Sequence, residues 1–475
     1  MLTVEGNRLW LILIARDVAV VVIALGVAQN LLYLVQLALA GWALARRPRV
    51  GRSSALWRIL GDISPPIALL VPAYNEEATV VENIRSLRSL QYPSFEIVVI
   101  NDGSTDGTLR AVIKAFDLKP IVRAYEPAVS HRLIRGLYGS PEYKNLLVVD
   151  KENGGKSDAL NAGINLSRSP LFCAVDADSI LEADALLRAV QPFVEEPDRM
   201  AAVGGTIRVA NGCRVHRGRV TAVALPRKLL PLLQTVEYLR AFLMGRLAWS
   251  KLQSLTIVSG AFGIIRRSVA VAVGGYSRGT VGEDLEIIVK IHRFMHEHGA
   301  DYAVRFVPEP VCWTEVPESL RVLARQRIRW QRGALEVFFK HMRMLLNPRY
   351  GRVGLLGFSN TFLVDVLAPP VEVIGYLLVP AFWAFGLLSV PYMLGFLAVT
   401  FAYGVFLSVG ALILEEMELR RFPLARDLLV LAVVAVIENF GYRQLNNFWR
   451  IAGFWQYLRG AQGWGQMTRI GFRQV

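Results

Sequence analysis

Residues 171–179, Leu-Phe-Cys-Ala-Val-Asp-Ala-Asp-Ser, pass from five apolar side chains straight into two carboxylates one residue apart. A short apolar run of this kind predicts a buried strand. Ligands of open α/β sheets bind beyond the carboxyl ends of strands, and Asp176 and Asp178 stand at such an end. Residues two apart in a strand point the same way, so both carboxylates face one site unless the strand is already turning. Unpaired, they repel, and one would keep its proton. A divalent cation removes the conflict. Hard oxygen ligands suit Mg²⁺ or Mn²⁺, which usually also bridge substrate phosphates. The plainer alternative is that such aspartates cap turns and helices. Asp106, Asp158 and Asp184 read that way and are assigned no chemistry.

Working outward, 65–317 reads as an α/β domain in which β-rich runs alternate with helical patterns, the signal for parallel strands and crossover helices. Strands are predicted at Ile67–Val71, Glu96–Ile100, near Ile121–Ala124, at "LLVVD" and at "LFCAV". An irregular segment without an assignable role is expected over Glu126–Lys144. Asp102 ends the second strand. A further acidic pair, Glu283 and Asp284, follows the glycine-rich "VGGYSRG" and precedes an amphipathic helix. It reads either as acids favoured at a helix N-terminus or as a general base, since a carboxylate near an apolar wall has a raised pKa and can take a hydroxyl proton.

Composition places this domain at a membrane. The 475 residues carry a formal net charge of +14 and are 53% hydrophobic. Residues 18–45 and 373–414 contain no charge. A span needs roughly 20 apolar residues, so the first stretch predicts one span and the second two, turning near Ser389–Pro391. A cleaved signal peptide fits the first stretch poorly, because Arg46, Arg47, Arg49 and Arg52 follow it instead of a small-residue cleavage site. Basic flanks stay cytoplasmic, which places the N-terminus outside and the α/β domain in the cytosol. Arg450, Arg459 and Arg469 argue for a cytosolic C-terminus. Residues 428–437 are too short for a clean span. Glu438 and Arg443 beyond them either line a cavity or sit at the interface, and the interface is the favoured expectation. Leu225–Leu252 and Ser319–Met344 are basic and amphipathic, as interfacial helices are. The expected domains are a transmembrane segment at 1–50, a catalytic domain at 51–317, interface helices at 318–350 and a transmembrane region at 351–475. Cys173, Cys213 and Cys312 form neither a metal-ligand pattern nor a disulfide framework. The positive charge suits membrane lipids or anionic substrates. Without a basic region with interleaved aromatics, no nucleic-acid partner is expected.

The motifs "VPAYNEE", "NDGSTDGT", "NGGKSDALNAG", "VDADS", "SGAFGIIRRS", "GED" and "QRIRW" occur in the order seen in processive family 2 glycosyltransferases. The chain resembles the synthases of cellulose, hyaluronan, chitin oligomers and poly-N-acetylglucosamine over 65–345 and the flanking spans. The resemblance implies a cytosolic GT-A, Rossmann-like domain combined with transmembrane and interfacial helices. It implies an inner-membrane enzyme that uses a UDP-sugar, inverts the anomeric centre and depends on Mg²⁺ or Mn²⁺. Carried over residue by residue, Pro72, Ala73, Tyr74 and Glu76 with Asp102 hold the uridine, and Lys156 and Asp176 contact the nucleotide. Asp178, with Asp176 beside it, holds the metal. Asp284 is the base. Gln326, Arg329 and Trp330 lie over the diphosphate and the acceptor sugar.

These roles agree with the residue chemistry. Gln326, Arg329 and Trp330 share one helical face. Arg329 can offset charge on a leaving diphosphate, and one base suffices for one inverting displacement. The implied partners are the growing glycan and accessory secretion subunits. Two other readings stay open: a single-transfer glycolipid synthase of the ceramide type, and a non-catalytic channel or partner subunit. Two departures stand out. Gly282 occupies the place where related synthases usually carry Thr, and no carboxy-terminal cyclic-dinucleotide domain is expected after Val475. The ending "GWGQMTRIGF" resembles tails near the active site of this family.

Overall fold

The computed structural model describes residues 2–46, 53–216, 218–386, 389–418 and 424–461. The "GWGQMTRIGF" ending and Arg469 lie outside the described residues. The strands in chain order are β1 (Ile67–Ala73), β2 (Phe95–Asp102), β3 (Lys119–Pro120), β4 (Ile134–Gly139), β5 (Leu146–Lys151) and β6 (Leu171–Ala174). They continue with β7 (Ile180–Leu181), β8 (Met200–Val209), β9 (Arg214–His216), β10 (Arg219–Ala222), β11 (Gly263–Arg266) and β12 (Ala303–Thr314). Strands β9 and β10 form a separate hairpin, and the others form one sheet in the order β3-β4-β5-β2-β1-β6-β11-β8-β12-β7.

The centre of the sheet explains its sequence. Strands β5, β2, β1 and β6 are parallel neighbours. They are covered on both faces and read as nearly unbroken apolar runs, with Ile67–Val71 and Ile97–Ile100 buried. The chain adds β2 and β5 on one side of β1, then crosses to place β6 on the other. This reversal is the switch point at which an open α/β sheet leaves a crevice. The carboxyl ends of β1, β2 and β6, with the loops 72–79, 102–108 and 175–179, open into it.

Two expectations at the sheet edge are corrected. No strand forms at Ile121–Ala124; the pairing there is the short β3. The segment taken as irregular contains β4, which pairs antiparallel with β5. Its sequence, Ile-Arg-Gly-Leu-Tyr-Gly, mixes charge and glycine because it lies near the edge of the sheet and is only partly buried.

Among the described residues, three helical stretches are long and apolar enough to cross a membrane: Ala19–Ala45, Val353–Ala384 and Met393–Met417. The helices Ala425–Ile437 and Tyr442–Leu458, bent by 58° at their junction, make a fourth if counted as one span. The helix Ala368–Ala384 ends ahead of the expected turn near Ser389–Pro391, and the next helix begins at Val390. Glu438, expected near the interface, is paired inside the protein. Its side chain is fully buried and pairs with Arg240, with Ser408 Oγ at 2.6 Å and with Arg443 Nη2 at 2.8 Å.

The α/β domain is tied to the apolar helices by charge. Arg208, at the end of β8, forms a buried ion pair with Glu415 of the helix Val390–Glu418. Arg450 reaches Asp365 at 2.9 Å and Gln331 Oε1 at 2.6 Å, joining the helix Tyr442–Leu458 to the "QRIRW" helix. Removing one member of a buried pair strands the other charge, typically at about 3–5 kcal/mol. Glu415→Gln is therefore expected to lower the thermal midpoint of the purified protein, and adding Arg208→Met to restore most of it. Equal losses in the single and double variants would show that the pair does not fasten the domain.

Candidate active site

The first wall of the crevice is built by side chains capping backbone. Asn75, held at φ 56°, accepts from Thr105 N at 2.8 Å, and its own N donates to Ser104 Oγ at 3.0 Å. Glu76 N donates to Thr108 Oγ1 at 2.8 Å, and Gly107 N to Glu77 Oε2 at 3.0 Å. These bonds zip the loop after β1 to the loop after β2. Pro72 and Glu76 are half-buried and Ala73 is buried, while Tyr74 stays half-exposed at the rim, its ring open to a planar partner.

Asp102 lies deeper than expected of a nucleotide contact. Its Oδ1 accepts from Lys151 Nζ at 2.6 Å and Gly154 N at 3.0 Å, and its Oδ2 from Gly155 N at 2.7 Å. Lys151 is fully buried and also pairs with Asp158 at 2.7 Å. The carboxylate thus shapes the Gly154–Gly155 turn from which the helix Lys156–Leu166 starts. Asp158, with Lys151 and Arg278, is scaffold, in keeping with its lack of assigned chemistry.

Lys156 is the hub of the crevice. Its Nζ lies 2.6 Å from Asp176 Oδ1 and 3.3 Å from Glu283 Oε1. Burial disfavours its charge, but Asp176, Glu283 and Asp284 outweigh burial and hold its pKa above the ordinary lysine range. The two acids of "GED" therefore differ. Glu283 is buried on Lys156. Burial pushes its carboxyl up to about 7; Lys156 pulls the other way, and Asp284 adds to the rise. Asp284 is half-buried, accepting from Gly260 N at 3.2 Å and Leu285 N at 2.9 Å.

The helix Leu320–Lys340 closes the crevice from the opposite side. Its residues 326, 329, 330, 333 and 336 share one face. At Gly333 that face touches the backbone before the acidic pair. A Cβ on Gly333 would stand 2.8 Å from Gly282 N, and one on Gly282 would stand 3.1 Å from the Gly333 backbone. This contact leaves little room for a side chain at position 282. Glu336 Oε2 adds bonds from Thr280 Oγ1 at 3.0 Å and Val281 N at 2.9 Å. Lys340 Nζ reaches Glu286 at 2.7 Å. Burial opposes the charge of Glu286, yet His341, Lys290 and Lys340 prevail and push its carboxyl down to about 2. On the opposite side, a Cβ on Gly453 would meet Gln331 Cβ at 2.7 Å. The helix is thus wedged between two glycine contacts. Gln326 is half-buried with Oε1 lacking a partner, Arg329 is half-buried, and Trp330 is 42% exposed beneath the Arg327 guanidinium.

The metal expectation meets a partial fit. Strand β6 ends at Ala174, and Ala177 and Asp178 form a turn, so strand periodicity does not aim the two aspartates. Both nevertheless lie within electrostatic reach of Cys312. Among the described residues, no group of three or more His, Cys, Asp or Glu side chains is arranged to hold a metal ion. A cation shared with nucleotide phosphates needs only one or two carboxylates. Asp178 and Asp176 supply that donor set, with Asp176 Oδ1 already on Lys156.

Residues 68–274 match the family model described as glycosyl transferase family 2. The chain carries a family 2 glycosyltransferase domain. Among its relatives is the poly-beta-1,6-N-acetyl-D-glucosamine synthase of Staphylococcus epidermidis, 30% identical over 275 residues, which are 58% of this chain and 56% of the relative. Another is the synthase of the same name from Staphylococcus aureus strain COL, 29% identical over 291 residues, 60% of this chain and 59% of that one. The match thus spans little more than half the length of these relatives. The mannosyltransferase PcManGT from Pyrobaculum calidifontis, solved with GDP-Man and Mn²⁺, superposes with a TM-score of 0.60 at 19% identity. The superposition covers 94% of this chain and 99% of that one. The fold of the glycosyltransferase domain is accordingly GT-A.

Of the residues expected from sequence, Lys156, Asp176 and Asp284 form one cluster, with Asp178 beside Asp176 and Asp102 beneath it. Gly333 sets Gln326, Arg329 and Trp330 one to two helical turns from Gly282. Sequence reading did not find Lys151, Gly333, Glu336 or a function for Arg246. Gly333 carries no local signal, because its partner Gly282 is distant in sequence.

Two outcomes follow from this geometry. Gly333→Ala is expected to cost about 1–3 kcal/mol by overpacking and to lower turnover at least about tenfold; a thermal melt and a UDP-release assay check it. Glu283 favours the fold while protonated, so its contribution is complete below pH 4.5 and is lost as pH rises through 7. Glu283→Gln should therefore flatten the stability profile between pH 5 and 7.5. An unchanged slope would place the titration elsewhere.

Proposed function

We propose that the protein is a membrane-embedded, inverting polysaccharide synthase that extends a β-linked glycan from a UDP-sugar on the cytosolic side of the inner membrane and passes it outward. The observation that carries this reading is the half-buried Asp284 beside Lys156, with the "QRIRW" helix docked on the residue before the acidic pair. The apolar helices and the synthase relatives support the membrane and polymer parts of the reading.

In this mechanism the donor lies in the crevice, its uracil against Tyr74 and the zipped loops after β1 and β2. A divalent cation held by Asp178 and Asp176 would offset charge on the diphosphate. Lys156 keeps its proton and fixes Asp176 and Glu283. Asp284 accepts the proton of the acceptor hydroxyl, whose oxygen bonds to the anomeric carbon as the bond to the diphosphate breaks. The bonding electrons leave with UDP. One displacement inverts the centre. Arg329 balances charge on the departing diphosphate, Gln326 offers its amide to the substrates, and Trp330 offers a flat apolar surface to the acceptor sugar. The growing glycan, membrane lipids and accessory secretion subunits are the proposed partners.

The test is a screen of UDP-sugars with the purified protein in lipid nanodiscs and Mn²⁺, reading UDP release and product length. Long polymer from one donor supports the reading, whereas only monoglycosylated lipid would replace it with a single-transfer glycolipid synthase. Asp284→Asn is expected to reduce release by about 10²–10⁴-fold. Persistent release would remove Asp284 from the role of base. Asp178→Ala should lose the cation-dependent release, and an unaffected rate would remove Asp178 from the role of cation ligand.

A further inference from the structure

Buried arginines in this protein are matched to acids. Arg208 pairs with Glu415, Arg240 with Glu438, Arg327 with Glu237 at 2.8 Å, and Arg332 with Glu336 at 3.4 Å. Arg246 departs from the pattern. Its side chain is half-buried over the Phe242 ring, 3.8 Å from the centroid, and its Nη1 is buried without a hydrogen-bond partner. Among the described residues it forms no ion pair. It ends the π-helix Arg240–Arg246, a distortion frequent at functional sites.

The surroundings of Arg246 belong to the crevice. Asp284 and Tyr238 are its electrostatic neighbours. Tyr238 in turn senses Asp178, along with Arg327 and Glu237. Arg246 therefore lies within electrostatic reach of the proposed base, and Tyr238 within reach of both Arg246 and the proposed cation ligand. Burial lowers its pKa to about 10, and Asp284 offsets this only in part. Desolvating a cation without a partner is costly. A site that tolerates this cost is ready for an anion, and guanidinium forks match phosphate oxygens.

We propose that Arg246 is a substrate-contacting residue that pairs with the diphosphate of the nucleotide-sugar. The proposal rests on the donor assignment made under Proposed function. A lipid headgroup phosphate shares the same chemistry and is separated by the test.

The test uses the full-length protein in nanodiscs of phosphatidylcholine with Mn²⁺. Thermal midpoints are measured alone, with UDP, with uridine, and with phosphatidylglycerol in the nanodisc lipid. Arg246→Met is expected to leave the ligand-free midpoint unchanged or higher, to weaken UDP binding at least about tenfold and to leave uridine binding unchanged. Arg246→Lys is expected to keep part of the UDP response. Wild-type UDP affinity in Arg246→Met overturns the proposal. So does a lower ligand-free midpoint in both variants with an intact UDP response, which would make the residue structural. A shift that Arg246→Met loses with phosphatidylglycerol but keeps with UDP would assign the phosphate to the bilayer and also overturn it. If the unsubstituted protein binds no UDP, the donor assignment itself fails, and that result is visible before any variant is made.

Discussion

The backbone contact between Gly282 and Gly333 holds the proposed active site together. The acidic pair belongs to one helix and "QRIRW" to another, and neither stretch has a local reason to meet the other. Two residues without side chains let the backbones approach to a distance at which a Cβ on Gly333 would force a shift and one on Gly282 would be tight. Glu336 and Lys340 then lock the approach with charge-assisted bonds to Thr280, Val281 and Glu286. Because Gly282 directly precedes Glu283 and Asp284, a shift at this contact moves the proposed base relative to Arg329. Sub-ångström errors of this kind are the ones catalysis tolerates least.

A second constraint is electrostatic. The crevice gathers Asp176, Glu283 and Asp284 around one ammonium, that of Lys156, while Asp102 and Asp158 share the buried Lys151 beneath it. The positive charges are fewer than the acids they serve. The result is a division of labour within "GED": Glu283 is buried and reluctant to ionise, whereas Asp284 keeps access to the crevice. The same logic extends to the apolar helices, where Arg208 of the sheet and Arg240 are matched to Glu415 and Glu438, and Arg443 and Arg450 are matched to acids within the C-terminal helices.

The sequence made some of this legible. Strands β1, β2, β5 and β6 announced themselves because they are buried on both faces and read as apolar runs. The ordered motifs placed Lys156, Asp176, Asp178 and Asp284 at the ends of elements that the sheet brings together. Strand β4 was missed because a partly exposed strand near the sheet edge mixes Arg and Gly with its apolar residues. Glu438 was expected at an interface because nothing local reveals Arg240, about two hundred residues earlier. The bonds of Asp102 to Lys151 and the Gly154–Gly155 turn were not legible because they depend on the register between β2 and β5. Arg246 read as one more charge on an amphipathic helix, since its want of an acidic partner among the described residues is visible only in three dimensions.

The most direct measurement is an experimental structure of the full chain in a lipid nanodisc with UDP and Mn²⁺. The account predicts nucleotide in the crevice bounded by Tyr74, Asp176 and Asp284, with its diphosphate turned toward the helix Leu320–Lys340 and Gly333 still against Gly282. Nucleotide bound in another crevice, or the helix parted from Gly282 while the diphosphate is held, would contradict it.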